Sequence, residues 1–230
     1  MANSTATFGF KHIGYVGSGA PPTYGLSIRA IQSTLASVIG LGDPVIKVSA
    51  ASPYIQTATT GQFALANAAT ATTLPLEGVF AGCQYTPKTG GGVVWSPFWP
   101  GAASATDAVA YIVDSADAQF LVATLNTAIT SSNIGELVNF TTNGGTTNTF
   151  TGLSPMVVDQ STMTTAAGTA NATVFPFRIV GLYGPSFGNF GTANYPGQFG
   201  AVGNGSDPTS NNNWVIVTFN NQINNNIYGS

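Results

Sequence analysis

Charge is the scarcest feature of this sequence. Only 6% of its 230 residues are Lys, Arg, Asp or Glu, where an ordinary soluble domain carries roughly 25%. Five Lys and Arg against eight Asp and Glu give a formal net charge of -3. No basic surface is available to neutralise a run of phosphates, so nucleic acid is a poor partner. A polybasic membrane patch fails for the same reason. Long hydrophobic runs are also missing. Mean hydropathy is +0.21, but Thr, Ser, Asn and Gly interrupt the apolar residues throughout, and no stretch reaches the ~18 consecutive apolar residues of a membrane span. Neither nucleic acid nor membrane is therefore expected as a partner. The single cysteine, Cys83, excludes an intrachain disulfide. The opening residues 1–5 lack a cationic head followed by an apolar block, so Sec-type export is not expected.

What is present is apolar material and short polar side chains. Hydrophobic residues make up 43% and aromatics 11%, enough for a sizeable core in one large domain or two small ones. A chain with so little charge must cover its surface with Thr, Ser and Asn. These suit pleated strands and turns better than helix surfaces, where they compete for backbone hydrogen bonds. The 28 Gly and 13 Pro are spread along the chain, as in a succession of short strands and turns. The expectation is an all-β fold. A near-neutral surface also lacks the repulsion that keeps copies apart, so self-association is expected.

Along the chain, Thr7 to Tyr15 reads as a terminal strand or arm, ending in the Gly/Pro-rich loop at 17–22. Ile28, Ile31, Leu35 and Ile39 recur at spacings of three and four, which matches a helical face over Leu26–Ile39. Val45–Val48 reads as a strand. The Ala/Thr stretch from Thr57 to Thr73 reads as a connection or a long exposed hairpin. The apolar run Leu76–Tyr85, the turn Pro87–Gly92 and the run from Val93 form a hairpin pattern. Further strands are expected at Ala108–Val113, Gln119–Val122, Phe150–Val158, Val174–Val180 and Trp214–Phe219. Leu125–Val138 reads as a short helix or an irregular loop, and Gly184–Pro208 as a long surface loop. The division expected is an N-terminal arm over residues 1–20 and one all-β domain over 21–230, with a sub-boundary conceivable near 57–73.

The residues of catalysis are sparse. Nucleophilic catalysis needs a base in reach, and the one histidine, His12, stands beside Lys11 without a carboxylate motif. Cys83 lies in an apolar run with no cationic neighbour, as a buried inert thiol would. One His and one Cys cannot make a zinc set. Glu77, Asp107, Asp114, Asp117, Glu136 and Asp159 are the acids to check for a glycosidase pair, and Asp114 and Asp117 bracket an ordinary turn. Gly14–Gly19 lacks the Lys-Ser or Lys-Thr of a phosphate loop. No enzyme activity, cofactor or metal is expected. The aromatics Trp95, Phe98 and Trp99 read either as core packing around Pro97 and Pro100 or as a sugar-stacking or partner-binding patch.

Two groups of segments carry a resemblance. One is the series Pro75–Thr86, Trp95-Ser-Pro-Phe-Trp-Pro100, Ala108–Asp114 and Asp117–Val122; the other is Asn213-Trp-Val-Ile-Val-Thr-Phe-Asn220. Together with Gly42-Asp-Pro-Val45, their order resembles a group of tailed-bacteriophage virion proteins encoded beside the major capsid protein, among them head decoration or cement proteins. The resemblance covers most of residues 40 to 220 and is carried by structural rather than chemical motifs. It implies a β-barrel or jelly-roll-like sandwich with long Gly/Asn/Thr-rich loops and an extended N-terminal arm. It further implies a non-enzymatic protein, made in the host cytoplasm, that binds the outside of an icosahedral head as a dimer or trimer and stabilises contacts between major capsid subunits. On that reading Phe8, Phe10, His12 and Tyr15 of the arm, with Trp95, Phe98 and Trp99, are the interface candidates. The alternatives are a glycan- or receptor-binding capsid or tail module and a head-tail connector component. A glycan hydrolase would need two carboxylates about 5 to 10 Å apart in a cleft.

Overall fold

A computed structural model describes residues 5–17, 25–59, 74–164, 175–183 and 210–224. Within them the only regular element that is not a strand is one 3-10 turn at Ser131–Asn133. The first sheet contains β2 (Ser27–Ile31), β3 (Pro44–Lys47), β4 (Tyr54–Thr57), β5 (Gly78–Pro87), β6 (Val94–Ser96) and β7 (Ala105–Val113). Their order is β3-β4-β2-β7-β5-β6, and a further pairing of β3 with β5 closes five of them into a barrel. The second sheet contains β1 (Lys11–Tyr15), β8 (Ala118–Ala123), β9 (Leu137–Thr142), β10 (Met156–Thr164), β11 (Phe177–Leu182) and β12 (Trp214–Phe219), in the order β1-β8-β12-β11-β9-β10. It curls as well, since a parallel bridge between Thr124 and Val158 brings β10 to the end of β8.

The protein is all-β, with a closed five-strand barrel and a further sheet. The alternation of β7 shows why. Ala108, Ala110 and Ile112 are buried inside the barrel, while Val109 between them is exposed. Two of the three inward positions are alanine because the interior of a small barrel is narrow and filled by side chains. The Gly-rich turn after Pro87 does join a hairpin, with Cys83, Gln84 and Tyr85 paired to Ser96, Trp95 and Val94.

Three expectations change. Leu26–Ile39 forms no helix. β2 occupies its first part and takes ladder bonds from β4 on one side and β7 on the other, and its Ser and Ile side chains suit that pleated surface better than a helix. β4 adds a strand between Val48 and the Ala/Thr stretch that the sequence pattern does not mark, because the Ala/Thr composition that follows obscures its four residues. Of the two readings of Leu125–Val138 the irregular loop is the one observed, with the 3-10 turn inside it and β9 beginning at Leu137. Phe150 belongs to a turn rather than a strand and is fully exposed, while β10 begins at Met156. Residues 60–73 and 184–208, the two loose segments of the sequence, lie outside the described residues.

Two cores result. Ile31, Val45, Ile55, Phe80, Cys83 and Trp99 help to fill the barrel. The larger core is aromatic, with Phe10, Phe120, Phe140, Phe177 and Phe219 at its centre, and the outward residues Ile46, Val79 and Val113 of the barrel pack into it. The barrel is thus docked by one side of its outer wall. The joint also has backbone bonds: Phe10 N–H donates to Gly42 O at 3.0 Å, Gly42 N–H to Phe80 O at 2.9 Å, and Leu41 N–H to Gly152 O at 2.7 Å. Gly42 permits this crossing. Its φ is +88° and a Cβ there would stand 2.7 Å from Phe10 N, so no larger residue fits without moving the chain.

Candidate functional site

The barrel wall has a second side, on which Trp95, Ile28, Val109 and Tyr54 are exposed. Strand register defines it. Trp95 pairs with Gln84, Gln84 with Val109, Val109 with Ala30, and Ala30 with Tyr54. Residues directly opposite one another project from the same face of a sheet, so this row crosses β6, β5, β7, β2 and β4 on the outside of the barrel. A neighbouring row joins Gly82, Tyr111 and Ile28. Trp95 is 60% exposed and Ile28 63%, with Val109 and Tyr54 exposed as well. None of these residues is charged.

Gly82 shapes the centre of this face. It sits at a bulge in β5 with φ +129°, and a Cβ there would meet the Trp95 ring at 2.9 Å. The missing side chain lets the indole lie across the barrel wall while its outer surface faces solvent.

At one end of the barrel the face borders the only ion-pair network among the described residues. Arg29 Nε donates to Glu77 Oε2 at 3.0 Å and Arg29 Nη2 to Asp114 Oδ2 at 3.1 Å, while Lys47 Nζ stands 3.6 Å from Glu77 Oε1. The Ser27 hydroxyl donates to Asp114 Oδ1 at 2.8 Å. Glu77 is buried, at 2% side-chain exposure. Two of the acids singled out in the sequence are therefore held by one guanidinium, in the charge-assisted geometry of a structural clamp. The Gln222 amide donates to the backbone carbonyls of Glu77 and Asp114 at 3.0 and 3.1 Å, closing the same end.

Asp43 and Cys83 are built into the fold. Asp43 is buried and accepts hydrogen bonds from Gly40 N–H at 2.7 Å and the Thr57 hydroxyl at 3.3 Å. Burial raises its pKa against the pull of the Ser154 and Thr57 hydroxyls and the Gly40 N–H. Burial likewise pushes the Cys83 thiol up to about 12, which removes the thiolate needed for reactivity. Among the described residues no group of three or more His, Cys, Asp or Glu is placed to hold a metal ion.

No family model, curated protein or solved structure matches this chain. The functional reading therefore rests on the chemistry of its surfaces.

The interface candidates from the sequence separate into three groups. Trp95 lies on the exposed face. Phe10 and Trp99 are corrected to core residues: Phe10 is 2% exposed and stacks on Phe177 at 4.4 Å, and Trp99 is fully buried, donating Nε1–H to Leu35 O at 3.1 Å. Large rings with a satisfied or absent polar atom belong inside. The rest are half-buried. Phe8 meets the Trp214 ring edge-on at 5.0 Å. His12 packs against Tyr15 at 5.0 Å and Phe120 at 5.7 Å, with Nε2 3.1 Å from Gly14 O. Burial lowers the His12 pKa more than the Gly14 carbonyl and Asp117 raise it. Tyr15 packs against the aromatic core, and Phe98 sits at a corner fixed by the Ser96 hydroxyl, which donates to Phe98 O at 2.7 Å. Within the segment read as an arm, Lys11–Tyr15 form an edge strand, β1 pairing with β8.

Ile28, Tyr54, Val109 and Tyr111 escaped the sequence reading. For Val109 and Tyr111 the signal was present, since Val and Tyr alternate with Ala108, Ala110 and Ile112. For Ile28 the apparent helical spacing hid it.

Proposed function

We propose that the protein is a non-enzymatic assembly component that docks through the exposed outer face of its barrel, and that the surface it binds is the outside of a tailed-phage head. The observation that carries this reading is the uncharged double row of Trp95, Gln84, Val109, Ala30, Tyr54, Tyr111 and Ile28, apolar or aromatic at most positions, with Trp95, Gln84, Val109, Tyr54 and Ile28 exposed and Ala30 and Tyr111 half-buried. A contiguous exposed apolar patch on a soluble chain is typical of a docking surface, and aromatic anchors dominate interface energies. The sequence resemblance to head decoration proteins supplies the partner, the major capsid protein. The low charge supports it too, because a lattice protein gains stability from surface buried on assembly. Self-association as a dimer or trimer over a local symmetry axis belongs to the same reading.

The exposed Trp95 ring also favours a glycan- or receptor-binding role, since sugars stack on such rings. Docking accounts for more of the face, because Trp95 is one member of two apolar rows.

Peptide mass spectrometry of purified virions, counting copies of this chain per major capsid protein, tests the proposal. A ratio near one, one half or one third is expected for a protein repeated over the head lattice. A ratio of about one hundredth would move it to the neck or tail, and absence from the virion would overturn the proposal.

A further inference from the structure

The connection between β9 and β10 begins with an Asn-Gly step, Asn143-Gly144. The sequence has a second such step, Asn204-Gly205, outside the described residues. Asn143 N–H donates to Pro155 O at 3.1 Å, at the end of the β9–β10 hairpin. Its side-chain carboxamide makes no hydrogen bond among the described residues and is not sealed from water. Gly144 is exposed, with φ +63°, and its N–H has no acceptor among the described residues. A Cβ on Gly144 would meet nothing within 4 Å, so the space beside this backbone nitrogen is open. Asn148 in the same connection is the contrast. It is the more exposed of the two, but its Oδ1 accepts from Phe150 N–H at 2.9 Å and from Thr151 N–H at 3.1 Å, and a threonine follows it.

The carboxamide carbon of an asparagine and the backbone nitrogen of the next residue close a five-membered ring when they bond. Glycine in that next position has no Cβ to obstruct the approach and turns freely through conformations closed to other residues. At Asn143-Gly144 neither reacting group has a hydrogen bond to give up first. We infer that this step is a self-modification site, at which the chain converts its own amide to a carboxylate. Gly144 N bonds to Asn143 Cγ, and Nδ2 leaves with the Gly144 proton as ammonia. Water then adds to one of the two carbonyls of the cyclic imide and opens it. Opening at one carbonyl leaves aspartate, and opening at the other leaves isoaspartate, whose main chain runs through the side-chain carbon. Either product adds a negative charge to a stretch, 137–158, that has no charged residue, in a chain whose formal net charge is only -3. The same connection is bonded to the barrel through Leu41 N–H to Gly152 O at 2.7 Å and Ser154 N–H to Leu41 O at 3.1 Å. The site is separate from the exposed barrel face and does not depend on the docking proposal.

Incubation of the folded full chain at mildly alkaline pH, where the Gly144 N–H loses its proton more readily, tests the inference. Peptide mapping by mass spectrometry, with an isoaspartate-specific methyltransferase as the second readout, follows each asparagine separately. Asn143 is expected to become a mixture of isoaspartate and aspartate at least about tenfold faster than Asn148 is converted, because Asn148 must first release two hydrogen bonds. Gly144→Ala puts a methyl group beside the nitrogen and should slow the conversion about tenfold or more. Asn143→Gln, which could close only a six-membered ring, should remove the isoaspartate signal from this peptide. It leaves Gly144 unchanged, so it remains informative if Gly144→Ala, strained at φ +63°, disturbs folding. An Asn143 that stays an amide, conversion no faster than at Asn148, aspartate formed without isoaspartate, or an isoaspartate signal that persists in this peptide of Asn143→Gln would each overturn the inference.

Discussion

Phe10→Ala is expected to destabilise the isolated protein by about 4 kcal/mol, within the range for truncating a buried phenylalanine, and to lower its Tm by roughly 10 °C for a chain of this size. Phe10 lies in the middle of the aromatic core, stacked on Phe177 at 4.4 Å and edge-on to Phe140 at 6.1 Å and Phe120 at 6.5 Å. Truncation removes ring contacts on three sides. The neighbours cannot close the gap easily, because Phe10 N–H is tied to Gly42 O and Gly42 has no room to move toward it. Urea unfolding of the purified chain gives the value. An arm whose aromatics acted only in partner contacts would predict no change in the isolated protein, and that result would return Phe10 to the interface.

Glu77→Ala is expected to cost about 3 kcal/mol, since removing one member of a buried ion pair leaves the other charges uncompensated. Glu77 bridges Arg29 and Lys47 at the end of the barrel, and its burial keeps water from replacing the lost carboxylate. Arg29 retains Asp114, which limits the loss. A double-mutant cycle with Arg29→Met separates the pair from the packing of the arginine stem: the two substitutions together should cost less than the sum of each alone. Additive costs in that cycle would mean that the clamp contributes nothing as an ion pair.

The fold class was legible because it depends on composition and period. Few charges, abundant Thr and Ser and dispersed Gly point to strands, and the short apolar runs of β7 and β12 stand out clearly enough to be placed within a few residues. Closure of the barrel was not legible. It depends on β3 meeting both β4 and β5, a long-range pairing that no local pattern encodes, and on a β4 of only four residues. Ile28, Ile31, Leu35 and Ile39 fit a helical spacing equally well, and only the neighbours β4 and β7 decide in favour of a strand. The candidate site was half legible. Trp95 and Trp99 are four residues apart in one aromatic segment, and the sequence could not say that the first lies outside the wall and the second inside it. The face emerges only when register places Ile28, Tyr111, Val109 and Tyr54 beside Trp95. The ion-pair clamp was hidden for the same reason, because Arg29, Lys47, Glu77 and Asp114 come from four separated stretches of chain.

The most direct test of docking through the barrel face is binding to heads that lack this protein, measured by co-sedimentation with the wild-type chain and with the Ile28→Ser/Trp95→Ser double variant. Both side chains are exposed, so the variant should keep its fold by circular dichroism. Wild-type protein is expected to saturate the heads, and the variant to bind about 100-fold more weakly or worse, as loss of two anchor residues at roughly 1.4 kcal/mol or more each would give. A folded variant that binds as tightly as wild type, or a wild-type chain that does not bind heads at all, would contradict the account.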